Sequence, residues 1–340
     1  ISIQTDRTVY TDVHGTLYPA TYRAIDSADM GAFLARIYGP DANARLASGK
    51  DLDISYEIRS DRYSRSRFRV NITACLSRGR DAAQITLRVM PSDPPLMKDL
   101  NIEQQIIDNW APRQGMVIIT GPTGSGKTIL LAAGNRMLME RPQGCGKMLT
   151  YEAPIEFTYD NIHSPRSLVS QTEVHRHLPD FSSGVRNALR RKPNIILVGE
   201  ARDKETISAA IEAAQTGHAV YTTTHTTGVA STVRRMISAF DKDERSERAY
   251  SLMETLRMIV TQALVPKKSG GRLGVREWMV FPEDVREKLM DMDFDSWSNE
   301  IQRMMPFYGQ TMSKSATIAF EKGLIEKRHY LLLTGGGSGH

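Results

Sequence analysis

The chain has 340 residues, 40% of them hydrophobic and 24% charged, with a formal net charge of +5. That balance belongs to a globular protein too long for one ordinary core, so two domains are expected. No apolar run approaches the roughly eighteen residues of a membrane helix, and Cys75 and Cys145 offer neither a disulfide framework nor metal-ligand spacing, which fits a reducing, cytoplasmic setting.

Residues 1–90 read as a small α+β domain. DMGAFLARIYG has helical spacing, while DISYEI, RSRFRVNI and QITLRV alternate as half-buried strands do. PSDPPL opens a linker, taken as 91–100, because its prolines favour extended chain. A second domain, 101–334, then alternates strand and helix. NIEQQIIDNW reads as a helix and GMVIITG as a buried strand; GKTILLAAGNRMLME is helical and KMLTYE a strand. SSGVRNALRR (helix), NIILVGE (strand), DKETISAAIEAAQTG (helix), HAVYTTTH (strand) and VASTVRRMISAF (helix) continue the rhythm. Such alternation implies a parallel sheet covered on both faces, an α/β fold. From about Ser246 the pattern reads as mostly helical, with LGVREWMVF as a strand. The chain begins at Ile1 without a visible signal peptide. Its tail, 335–340 within TGGGSGH, reads as a linker or tag remnant.

GPTGSGKT follows a strand and opens a helix, the context a phosphate-binding loop requires. Its residues Gly121, Pro122, Thr123, Gly124, Ser125, Gly126, Lys127 and Thr128, with Ile129 behind them, are candidates for nucleotide binding. Glycines let successive N–H groups face one anion, and the helix N-terminus adds partial positive charge. Lys127 supplies a mobile charge for the β- and γ-phosphates and Thr128 a hydroxyl for Mg²⁺. Glu200 closes the apolar strand NIILVGE, at the edge where parallel sheets bind ligands, and is the second candidate for magnesium.

TYEAPIEF carries Glu152 and Glu156 around Pro154, which keeps both carboxylates on extended chain or a turn. A solvated loop is the plain alternative. Because the preceding strand ends on the same sheet edge, one of them can instead orient and deprotonate an attacking water. His225 ends a strand among threonines, where it can sense a γ-phosphate. His218 stands at the other end of that strand and reads as structural. Cys145, with no histidine close in sequence, reads as a loop residue rather than a nucleophile.

Between Arg59 and Arg88 eight arginines face only two acids, Asp61 and Asp81. In a strand, Arg65, Arg67 and Arg69 share one face. They form a solvated basic face, a nucleic-acid surface, or arginines that complete a nucleotide site across a domain or subunit boundary. Few aromatics are interleaved for base stacking, which weakens the second reading.

GPTGSGKT, YEAPIEF, NIILVGEARD and TGHAVYTTTHT match in order the Walker A, Asp-box, Walker B and His-box motifs of the secretion ATPase superfamily, which includes the PilT-like motors. RFRVN and LRVMPS resemble the arginine-bearing N-terminal domain of the PilT branch. QTEVHRHLPDFSSGVRNALRRKP, ALVPKKSGGRLGVREWMVF and FEKGLIEKRHYLLL are similar to the DotB/TraJ-type ATPases of type IVB (Dot/Icm) secretion and conjugation. This resemblance implies a PAS-like N-terminal domain, a RecA-like P-loop ATPase domain, nucleotide bound between them, and ATP and Mg²⁺ as cofactors. It also implies a homo-hexamer docked on the inner membrane from the cytoplasm, with inner-membrane secretion proteins and a second cytoplasmic secretion ATPase as partners, and no direct nucleic-acid binding. It makes Glu156 the general base, Glu152 its supporting neighbour, and both His218 and His225 nucleotide-proximal. The family's N-domain arginines fall on Arg69 and Arg88, and less securely on Arg78 or Arg80. The family's usual Glu-Asp pair is here Glu152-Ala153, so the magnesium role tied to that aspartate does not carry over. A pilus retraction motor and a DNA-dependent RecA-like ATPase or helicase are the alternative functions.

Overall fold

The computed structural model describes residues 1–13, 15–59, 61, 65–91 and 93–335. Arg62 of the basic block, Ser92 of the linker and 336–340 of the tail lie outside the described residues. The chain divides into two compact units, Ile1–Asp93 with Ala153–Thr158, and Pro94–Glu152 with Tyr159–His340.

The first unit runs β1 (Ser2–Gln4), β2 (Tyr10–Val13), β3 (Thr16–Pro19), α1 (Ser27–Ile37), α2 (Ala42–Ala47), β4 (Leu52–Arg59), β5 (Arg65–Ser77) and β6 (Arg80–Met90). Its sheet has the order β3-β2-β1-β6-β5-β4, antiparallel throughout. Asp26 caps α1 and forms a reciprocal capping box with Asp29. Met30, Leu34 and Ile37 repeat at helical spacing and pack with Ile54, Val70, Ile72, Ile85 and Leu87 of the strands. β5 and β6 form a hairpin closed by Arg78 and Gly79, both with positive φ (49° and 75°). That is the geometry of a two-residue turn whose twist matches the strands.

The second unit continues with α3 (Gln104–Asp108), β7 (Gly115–Thr120), α4 (Lys127–Met139), β8 (Gly146–Glu152), β9 (Ser167–Glu173), α5 (Phe181–Ala188) and β10 (Ile195–Val198). Next come α6 (Lys204–Gln215), β11 (Ala219–Thr224), α7 (Val229–Ser238), α8 (Arg245–Thr255), β12 (Leu256–Pro266) and β13 (Arg272–Val280). It ends with α9 (Glu283–Met290), α10 (Trp297–Tyr308), β14 (Gly309–Gln310), α11 (Met312–Glu321) and α12 (Lys327–Thr334). The sheet order is β14-β13-β12-β7-β11-β10-β8-β9. From β12 to β9 the strands are parallel; β13 and β14 add an antiparallel edge. Every residue of β7, β10 and β11 is buried, as continuous apolar runs in a doubly covered parallel sheet should be.

Two expectations are corrected here. NIEQQIIDNW is helical only over α3, because Asn101 takes a left-handed conformation (φ 48°) and Glu103 starts the helix. The stretch after Ser246 is mostly helical, but it holds more than the one strand expected within LGVREWMVF: β12, eleven residues long, lies directly beside β7. Its MIVTQALV run has no alternation, since both faces are covered, and without alternation a short apolar run does not separate strand from helix.

Candidate active site

β7 delivers the chain to the centre of the second sheet, and Gly121 turns it into the loop that opens α4. Gly121, Gly124 and Gly126 have φ of 139°, 78° and 83°, values that disfavour any side chain. Two of these glycines are also required by β12. A Cβ on Gly126 would stand 2.9 Å from Gln262 Nε2, and one on Gly121 would meet the Gln262 carbonyl.

Lys127, the first residue of α4, folds back inside the loop. Its Nζ donates to the Gly121 carbonyl at 2.7 Å and the Pro122 carbonyl at 3.1 Å. His225 follows β11 with its Nδ1 3.4 Å from the same Nζ. His225 Nε2 is in turn 3.1 Å from Glu200 Oε1, and Glu200 Oε2 is paired with Arg202 at 3.1 Å. Lys127, His225 and Glu200, drawn from three separate motifs, thus form one chain of contacts at the carboxyl ends of adjacent parallel strands. Thr120, the last residue of β7, hydrogen-bonds the Thr226 carbonyl at 2.6 Å and anchors the His225 loop to the phosphate-loop strand.

The loop fits a polyphosphate. It combines glycine-made curvature, a helix N-terminus, a buried lysine and a Ser125 hydroxyl that is buried without a hydrogen-bond partner. For magnesium the second unit offers the Thr128 hydroxyl at the start of α4 and the Glu200 carboxylate. Among the described residues no group of three or more His, Cys, Asp or Glu is set to hold a metal. One carboxylate and one hydroxyl suit Mg²⁺, which takes its remaining ligands from phosphate and water.

Not every candidate joins this group. His218 precedes β11, and its Nδ1 contacts the Ala213 carbonyl at 2.9 Å and Thr216 at 3.2 Å. The register pairs Ala219 with Gly115 and Thr224 with Thr120, so His218 lies roughly 20 Å of strand away from the phosphate-loop edge. Glu152 ends β8 as a buried carboxylate that accepts from Thr150 Oγ1 at 2.6 Å and Gln171 Nε2 at 3.1 Å. Ile129 is partly exposed on the first turn of α4. Cys145 is buried, and desolvation raises its pKa, which suits a packing role.

The remaining candidates sit in the first unit. Arg69 and Arg88 are direct cross-strand partners on β5 and β6. Arg69 forks onto Asp53 at 3.1 and 2.6 Å, and its Nη1 lies 3.7 Å from Glu156 Oε1. The Asp53 hydrogen bond raises the Arg69 pKa further above its already high value, against the opposing effect of burial. Arg78 and Arg80 stand at the hairpin tip, eight pairs along from Arg69 and Arg88, roughly 26 Å of strand away. The arginines therefore divide into two groups rather than one patch.

Sequence reasoning missed what Arg67 does. It shares a face with Arg65 and Arg69 as alternation requires, but it is buried and not part of a solvated basic face. Its Nη1 donates to the Glu156 carbonyl at 2.7 Å and its Nη2 to the Ile155 carbonyl at 2.8 Å. The guanidinium fork clamps the backbone that carries Glu156, while Arg69 faces the Glu156 carboxylate.

A family model described as type II/IV secretion system protein matches residues 50–311. The chain belongs to that family. This secretion ATPase is 33% identical over 317 residues to a twitching motility protein of Neisseria gonorrhoeae, covering 92% of this chain and 80% of that one. It is 35% identical over 279 residues to the type IV pilus retraction ATPase PilT of Pseudomonas aeruginosa, covering 82% and 77%. Among solved structures, the Legionella pneumophila ATPase DotB matches with a TM-score of 0.95 at 47% identity, over 99% of this chain and 91% of that one. The pilus retraction motor PilT with bound ADP matches with a TM-score of 0.83 at 26% identity, over 98% and 92%.

In the secretion ATPase, β13 supplies further residues that no motif reading singled out. Arg276 and Glu277 are adjacent, so they leave the strand on opposite faces. Glu277 accepts from the Val229 N–H at 2.7 Å and so caps α7, just past His225. Arg276 is buried and donates toward β12 and toward the residues before α3. Their signal in sequence was only that charged residues interrupt an apolar strand, VREWMV.

Proposed function

We propose that this ATPase works as a homo-hexameric motor that powers type IVB secretion or conjugal transfer, docked on the cytoplasmic side of the inner membrane. The observation that supports this reading best is the likeness to Legionella DotB, 47% identical over 99% of the chain, against 26% for the PilT structure. The motif-level resemblance to the DotB/TraJ type adds to it. Within the proposal, ATP supplies the phosphoanhydride bond and Mg²⁺ neutralises charge on its phosphates. The backbone N–H groups of the Gly121–Thr128 loop, Pro122 having none, and the Lys127 ammonium hold those phosphates. Thr128 and Glu200 hold the metal, and His225 relays the state of the γ-phosphate between Glu200 and Lys127. Glu156 orients and deprotonates the attacking water. Arg69 and Arg88 complete a site, as arginine fingers, that belongs at least in part to a neighbouring subunit. The PAS-like and RecA-like domains of the proposal correspond to the first and second units.

The relatives from Neisseria and Pseudomonas, at 33–35% identity, favour a second reading, a type IV pilus retraction motor with the same chemistry and a different dock. Deleting the gene in its host and restoring either the wild-type chain or its Lys127→Ala variant tests the choice. The secretion reading expects loss of effector or plasmid transfer, restored by wild type and not by the variant. Intact transfer with lost twitching would instead select the retraction motor.

A further inference from the structure

The phosphate loop is held from behind by a relay of buried side chains. Ser125 offers its carbonyl to Gln262 Nε2 at 2.7 Å. Gln262 Oε1 accepts from Arg276 Nε at 2.8 Å. The Arg276 guanidinium continues to the Asn101 carbonyl at 3.0 Å, Glu103 Oε2 at 3.1 Å and the Leu100 carbonyl at 3.1 Å. Both Gln262 and Arg276 are buried, at 4% and 2% exposure, so water does not substitute for these bonds. All of these residues belong to the second unit.

The order of donors fixes the amide. Arginine has only donors, so the Gln262 atom facing it must be the oxygen, and the NH₂ group must face Ser125. In a trans peptide the C=O of one residue and the N–H of the next point in opposite directions. Holding the Ser125 carbonyl toward Gln262 of β12 therefore aims the Gly126 N–H away from β12. Gly126 has no side chain to hold its own plane, and Gln262 does so from outside.

We infer that Gln262 and Arg276 are positioning residues for nucleotide binding, which orient the phosphate loop and tie it to Leu100–Glu103, the segment that leads out of the proline-rich linker. Movement of that segment is thereby felt at Ser125. The inference rests on Gly121–Thr128 being the phosphate loop, and it assigns the loop's preorganisation to residues outside every nucleotide motif.

The test compares Gln262→Leu, the isosteric Gln262→Glu, Arg276→Met and Lys127→Ala in the full-length chain. It reads ADP affinity by calorimetry, steady-state KM and kcat for ATP, and thermal unfolding. A lost hydrogen bond of this type should weaken ADP binding and raise KM by about tenfold in Gln262→Leu. Because the loop grips ground and transition states alike, kcat should change little. Gln262→Glu should be at least as impaired, since it keeps the shape but sets a carboxylate against the Ser125 carbonyl. Arg276→Met should raise KM in the same way by freeing the amide to flip; if it fails to fold, the two Gln262 variants decide. Unchanged KM and ADP affinity in Gln262→Glu, with only the melting temperature moved, would show a space-filling role and overturn the inference alone. Unimpaired nucleotide binding in Lys127→Ala would overturn the phosphate-loop reading and the inference with it.

Discussion

Replacing Arg67 by methionine should disable turnover without touching the phosphate loop. The substitution keeps much of the aliphatic stem and removes the fork that holds the Ile155 and Glu156 carbonyls at 2.8 and 2.7 Å. Each is a charge-assisted bond, worth about 1.5 kcal/mol at the low end, so the pair amounts to about 3 kcal/mol. The weak Glu57 contact at 3.9 Å adds little. A loss of about 3 kcal/mol raises the opening equilibrium of the 153–158 segment by roughly 100-fold or more. With Glu156 as the base, kcat should fall by at least tenfold while KM for ATP stays within about twofold, the signature of an interaction used only in the transition state. Amide hydrogen exchange over 153–158 should quicken in the same variant. Arg67→Lys should give no rescue, because one ammonium does not reproduce a planar fork on two adjacent carbonyls. The reasoning fails if Arg67→Met exchanges these amides and turns over ATP like wild type.

Other outcomes follow from the same geometry. Glu156→Gln keeps the size and loses the basicity, so kcat should drop by about 10²–10⁴-fold with ADP binding retained; a larger loss in Glu152→Gln would move the base to that residue. Arg88→Ala and Lys127→Ala should each be inactive alone, yet regain activity when mixed at fixed total protein if the arginines act in trans; a flat rate with subunit exchange confirmed would refute that. Asp180 caps α5 by accepting from the Ser183 N–H at 2.7 Å, and this backbone bond first of all lowers its pKa. A lowered folded-state pKa contributes stability that is present above the unfolded value, near 3.9, and is lost as pH falls through the folded value. Asp180→Ala should therefore melt lower than wild type by about 1 kcal/mol near neutrality, and the gap should close below about pH 4 on thermal unfolding; a constant gap would mean that the carboxylate charge plays no part.

Where the information is local, the sequence by itself determined the outcome. β7, β10 and β11 are continuous apolar runs bounded by turn residues, and they are the buried parallel strands those runs require. The strand, glycine turn and helix of the candidate phosphate loop are legible because its glycines, lysine and threonine stand close together and each answers to one local need. The meeting of His225 and Glu200 was legible because parallel strands present their carboxyl ends on one edge. Only the tertiary structure decided the rest, since it depends on partners distant in the chain. Arg67 looked like one of three equivalent arginines on an alternating strand; burial against residues 153–158, nearly ninety positions away, makes it a backbone clamp. Nothing in MIVTQALV distinguishes a strand from a helix until β7 and β13 flank it. Gln262 and Arg276 carry no motif because their task is set by what they face: a loop carbonyl 137 positions away for one, and the segment before α3 for the other. Hydrogen-bond partners of buried polar side chains are fixed by three-dimensional packing, and a linear pattern of apolar and polar residues does not encode them.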